Sequence, residues 1–184
     1  MLINREREKI INLVAYFADN VNYLGKTKLF KLLYFVDFEH YKLTGRSVTG
    51  LDYYAWKMGP VPTMLFDEIE RPEPDMQEKV KVQQKTLQNN KKMFCIEAIA
   101  QFDSRLFTKR ELRLIGEFAQ KYKEAKAEDM VEATHLENLP WSKIYNSPTG
   151  KQKIIPYELA LRTQELEEMK AFISERQDFI GLFK

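Results

Sequence analysis

The chain has 184 residues, 44% of them hydrophobic and 30% charged, with 29 Lys and Arg against 27 Asp and Glu. That length can bury about 70% of the unfolded surface in one core, so a single domain over residues 1–184 is expected. No run of 18 apolar residues, no apolar leader and only one cysteine, Cys95, are present, and the net charge of +2 is too balanced for a coat on nucleic acid; a cytoplasmic protein without internal disulfide or membrane span is expected.

Ile10, Leu13, Val14 and Phe17 fall at helical spacing and predict an amphipathic helix over 5–19. A turn at 20–25 follows, and Thr27 is placed to cap a second helix that runs to Thr44, with Gly45 as its left-handed stop. That second helix is apolar on nearly every side: Leu29, Leu32, Leu33 and Val36 make one stripe, and Phe30, Tyr34, Phe38 and Tyr41 another. A helix of that kind belongs in the middle of a fold. An aromatic segment, Leu51 to Lys57, ends at Gly59-Pro60-Val61-Pro62, and Pro62 opens a short helix through Ile69.

Residues 67–78 carry six acids and one base, and residues 79–92 five lysines and no acid. That switch reads as a solvated loop beside a lysine-protected edge strand, or as a bipolar docking surface. Strands are expected at 80–86 and 93–99, joined at Gln88-Asn89-Asn90-Lys91. Thr108 and Glu111 form a capping box for a helix to about 123, with Leu112, Ile115, Phe118 and Ala119 on its apolar face. A shorter helix over 128–135 is expected to stop near Pro140, a helical turn to start at Pro156, and a last amphipathic helix to span 164–179 through Leu166, Met169, Phe172 and Ile173. The expected fold is mainly α (α+β), a helical domain around a buried central helix with a small antiparallel hairpin.

Catalytic and metal chemistry find little footing. Gly25-Lys26-Thr27 resembles the end of a phosphate loop, but the glycine required five residues earlier is Asn20. Two histidines and one cysteine offer no metal-ligand spacing, so no metal and no cofactor are expected. His135 with Glu132 or Glu137 would be the candidate general base, yet no Ser or Cys sits in a nucleophile elbow, and a structural histidine beside Trp141 is the favoured reading. Lys26, Lys28 and Lys31 open the second helix as the N-terminal residues of a DNA-recognition helix would, so a helix-turn-helix-like unit over 5–44 is the alternative.

The order Lys28-Leu29-Phe30-Lys31-Leu32-Leu33-Tyr34-Phe35, then Thr44-Gly45, then Tyr54-Ala55-Trp56-Lys57-Met58-Gly59-Pro60-Val61-Pro62, then Thr134-His135 and Pro140-Trp141 resembles the Panacea domain. This is the family of the antitoxin SocA and of phage-associated GepA-like proteins, and the likeness is strongest over 26–141. The resemblance implies a non-enzymatic, antitoxin-like bacterial or prophage protein that binds and neutralises a cognate protein toxin, by contact or by handing it to a protease. Binding to its own promoter DNA is a further expected partnership. The likeness brings no catalytic residues.

Lys28, Lys31, Tyr34, Tyr54, Trp56, Lys57, Met58, Gly59 and Pro60 are the expected partner-binding residues, because aromatics and methionine anchor interfaces and a proline-stiffened turn loses little entropy on docking. The lysines either close onto carboxylates inside the fold or face the partner. Leu29, Leu32, Leu33, Gly45, His135, Pro140 and Trp141 are expected to serve structure.

Overall fold

The computed structural model describes residues 5–86, 92–136 and 139–181. Helix α1 (Glu6–Asn20) begins with Glu6 and Glu8, whose charges suit a helix N-terminus, and buries Ile10, Leu13, Val14 and Phe17. Helix α2 (Lys26–Thr44) lies across it in the centre of the fold, with Leu29, Leu32, Leu33 and Val36 wholly inaccessible. Its N-cap is Gly25, not Thr27, which sits inside the helix and makes no capping bond. Gly25 has the extended backbone of an N-cap, φ −109° and ψ 175°, and is closely packed, since a Cβ there would lie 3.1 Å from the carbonyl oxygen of Phe94. At the other end Gly45 turns to φ 68° and donates its N–H to Tyr41 at 2.8 Å, ending the helix as the sequence predicts.

The chain then folds back along α2 into a hairpin of β1 (Tyr54–Trp56) and β2 (Gly59–Val61), in register Trp56 opposite Gly59. Residues 152–155 lie against the outer edge of β1, with Ala55 and Ile155 donating to the carbonyls of Lys153 and Tyr53 at 2.8 Å each. Helices α3 (Thr63–Glu68) and α4 (Pro74–Gln77) carry the acidic run. Much of that charge is used within the fold. The Arg7 guanidinium holds Glu68 and Asp75, and the Lys26 ammonium holds Glu70 while lying 3.2 Å from the centre of the Phe66 ring.

Strands β3 (Val80–Thr86) and β4 (Lys92–Ala98) pair antiparallel with Val80 opposite Ala98. The turn expected at Gln88–Lys91 lies outside the described residues. Helix α5 (Lys109–Lys121) opens on the predicted capping box: Thr108 accepts from the Glu111 N–H, and Glu111 accepts from the Thr108 N–H at 2.6 Å. Leu114 joins Ile115 and Ala119 in its buried face, while Leu112 and Phe118 are only half-buried.

Helix α6 (Ala127–His135) ends at His135 as expected, and Pro140 opens a further helix, α7 (Pro140–Tyr145). Proline fits the first helical turn, where its missing N–H would have no partner. A 3₁₀ turn at Tyr157–Ala160 leads to α8 (Thr163–Gly181). Leu166, Met169, Ile173 and Arg176 make its half-buried side, and Phe172, expected inside with them, is 50% exposed. The fold is mainly α, with two small antiparallel sheets among the described residues. No described helix is long and apolar enough to cross a membrane.

Candidate functional site

Lys28, Lys31 and Tyr34 are among the ionisable side chains of α2 that point into the protein. Lys28 is inaccessible, and its ammonium donates to the carbonyls of Asn22 at 2.7 Å, Lys123 and Ala125. Lys31 is 1% exposed and donates to the Pro60 carbonyl at 2.8 Å. Burial without a carboxylate lowers its pKa to about 7. The lysines therefore close inside the fold, but onto backbone carbonyls, neither onto acids nor toward a partner. Tyr34 is also buried; its ring lies 4.3 Å from Phe38 and 5.5 Å from Tyr53, and among the described residues its hydroxyl makes no completed hydrogen bond. Of the lysines that open α2, Lys28 and Lys31 are buried and Lys26 is paired with Glu70.

Asp37 is the residue that sequence reasoning missed. Its inaccessible carboxylate accepts from the N–H groups of Val48 and Thr49 at 2.8 and 2.9 Å, from the Thr49 hydroxyl and from the Tyr53 hydroxyl at 2.7 Å. Burial outweighs these donors and lifts its pKa to about 6. The network fastens residues 48–53 to α2 and so fixes where β1 begins. Tyr157 reinforces it by donating to the Leu51 carbonyl at 2.6 Å and stacking on Tyr41. The visible signal was an acid set between Val36 and Phe38 on a helix that is apolar on nearly every side.

The hairpin tip stands on this base. Gly59 has φ 97°, and a Cβ there would come within 2.7 Å of both Lys31 Cε and Thr134 Oγ1, so only glycine fits. Gly59 and Pro60 are buried, Tyr54 and Trp56 half-buried, and Lys57 and Met58 exposed. The Trp56 ring packs 4.9 Å from Phe66, and its carbonyl accepts from the Trp141 indole N–H at 2.9 Å. Met58, 56% exposed, and Met64, 64% exposed, add apolar surface on the hairpin tip and on α3.

Trp141 is sandwiched in turn. His135 stacks on one face at 3.8 Å and 4°, and Tyr145 on the other at 4.6 Å and 15°. Among the described residues His135 Nε2 is sealed without a hydrogen-bond partner, and burial with the Lys31 charge lowers its pKa. Glu132 stays exposed on α6, and Glu137 lies outside the described residues. His135 and Trp141 thus serve as a packed support for the hairpin.

A second face was not foreseen at all. A groove of about 980 Å³ runs between α2, α5, the α6–α7 junction and the start of α8. Phe35, Phe118 and Tyr122 stack along it, Phe35 lying 5.7 and 5.3 Å from the other two. Leu136, 59% exposed, and Leu139 and Leu161 continue the apolar lining.

Comparison with known proteins adds one match. The family described as antitoxin SocA-like, Panacea domain, matches residues 29–142, the stretch from α2 through the first turn of α7. No curated protein and no solved structure matches the chain. The match covers more than half of the sequence and takes in Leu29, Leu32, Leu33, Gly45, Asp37, the hairpin and the His135–Trp141 stack. The chain belongs to the SocA-like antitoxin family with a Panacea domain.

Proposed function

We propose that the protein is a cytoplasmic antitoxin that neutralises a cognate protein toxin by direct contact, without catalysis. The contact surface of this reading is the hairpin tip: Tyr54, Trp56, Lys57 and Met58 touch the toxin, while Gly59, Pro60 and Lys31 hold the tip in place from beneath. The observation that carries it is the Lys31–Pro60 hydrogen bond under an exposed Lys57–Met58 turn. A tip clamped from below loses little conformational entropy on docking, and aromatic and thioether groups make good interface anchors.

The test is co-expression with the toxin encoded beside the chain, using Met58→Glu and Lys57→Glu, both at exposed positions, with circular dichroism to check folding. Loss of growth rescue and of co-purification by the folded variants supports the reading, and full rescue by both overturns the site. Toxin abundance in the rescued cells separates the two routes. Neutralisation by contact leaves the toxin level unchanged, whereas delivery to a protease lowers it.

A further inference from the structure

The groove beside α2 has walls of one kind. They come from α2, α5, the α6–α7 junction, the 3₁₀ turn at Tyr157–Ala160 and the start of α8, and among the described residues no strand lines it. A chain that docks there finds no open sheet edge to pair with. It must satisfy its own backbone hydrogen bonds, as a helix does. The size agrees, since 980 Å³ takes one face of about three turns of α-helix. The floor is flat: the Phe35 ring lies within 12° of parallel to Phe118 and within 9° of parallel to Tyr122. Leu43, 46% exposed, and Leu136, 59% exposed, add apolar wall.

The rim is cationic. Two of its acids are already used, Glu39 by Lys42 at 2.9 Å and Glu117 by Arg113 at 3.6 Å. A third, Glu165, accepts from the Arg162 backbone N–H at the start of its own helix. Lys121, Lys143 and Arg162 are exposed on the same rim, and among the described residues none of them forms an ion pair. Lys143 donates to the Leu159 carbonyl at 3.1 Å, and Lys121 lies 5.2 Å from the centre of the Tyr122 ring. Neither contact neutralises the charge, so the rim stays net positive around an aromatic floor.

We propose that this groove receives an amphipathic helix of the toxin. Its apolar side rests on Phe35, Phe118 and Tyr122, and aspartates or glutamates on its flanks meet Lys121, Lys143 and Arg162. The inference rests on the toxin reading above and gives that partner a second point of contact. Helix α7 joins the two surfaces: Trp141 donates to the Trp56 carbonyl at the base of the hairpin tip, while Pro140 and Lys143 line the groove. Opposite charge at the rim sets the orientation of the incoming helix and speeds its capture, and the apolar floor holds it.

The experiment titrates the toxin encoded beside the chain into the purified full chain, at low and high salt. Leu136→Glu alters the groove wall, Lys121→Glu with Arg162→Glu reverses the rim, and Met58→Glu alters the tip. All are exposed positions, and circular dichroism checks each fold. Leu136→Glu is expected to weaken binding about thirtyfold. The rim reversal is expected to weaken it about tenfold at low salt and to flatten its salt dependence. If both groove variants bind like the unaltered chain while Met58→Glu does not, the groove inference is overturned and the tip reading stands. No complex with the unaltered chain overturns both. Binding that is insensitive to salt and to rim reversal, or strengthened by that reversal, overturns the acidic helix. A chain that self-associates through the groove, with Leu136→Glu abolishing the dimer but not toxin capture, overturns it as well.

Discussion

Helices α2 and α8 each have 19 residues, yet one is sunk in the core and the other has no buried residue among those described. Apolar content alone does not separate them in kind. Helix α2 buries two lysines and an aspartate, and α8 leaves two phenylalanines half in water. What separates them is whether neighbouring backbone arrives to satisfy the polar groups. Carbonyls from Asn22, Pro60, Lys123 and Ala125 reach the lysines, and N–H groups from Val48 and Thr49 reach Asp37. A buried polar group is tolerated where its partners are built in, and leaving the partners in place without it is costly.

The sharpest way to break the contrast is Asp37→Ala. It strands two backbone N–H groups and two hydroxyls inside the fold, and should cost roughly 3–5 kcal/mol in urea unfolding. A loss near zero would mean that the loop after α2 does not depend on this anchor. Next comes Gly59→Ala, whose Cβ meets Lys31 and Thr134 at a positive φ. An expected loss of roughly 2–3 kcal/mol is checked by the same urea curves.

A smaller effect sharpens the electrostatic side. The Lys31 pKa is about 7 in the fold against 10.5 for a free side chain, so the folded chain binds fewer protons than the unfolded chain between those values. The contribution of this residue to stability therefore rises as pH increases from 7 toward 10 and is absent below 7. Lys31→Met should flatten the slope of the urea midpoint across that window, and an unchanged slope would remove Lys31 as its source. The smallest effect belongs to α8. Phe172→Ala should change stability by no more than about 0.5 kcal/mol, read from thermal unfolding.

How far the sequence reached follows the same physics. The centre of α2, the Gly45 stop, the Thr108–Glu111 capping box and the β3–β4 pairing rest on local spacing and turn chemistry, and were legible for that reason. Lys28 and Lys31 were legible only as a choice between closing inside the fold and facing a partner, because the carbonyls that receive them are not local, and one of those lies 97 residues away. Pro140 was ambiguous in a different way, since proline both stops one helix and starts another. The groove was invisible because Phe35, Phe118, Leu136 and Leu161 come from four separate segments. Phe172 was misread because helical periodicity assigned the stripe without fixing how wide the covered face would be.

Lys28 also sets a timetable for the nascent chain. Its ammonium leaves the ribosome long before Lys123 and Ala125 do, and until those carbonyls are synthesised two of its three acceptors are missing. The N-terminal half, including the turn before α2, must then wait in a loosely closed form with the lysine still hydrated. Contacts that distant in sequence slow folding. Chains stalled before residue 125 should accordingly remain sensitive to proteolysis between α1 and α2, and chains released past it should lose that sensitivity together with the tail of α5.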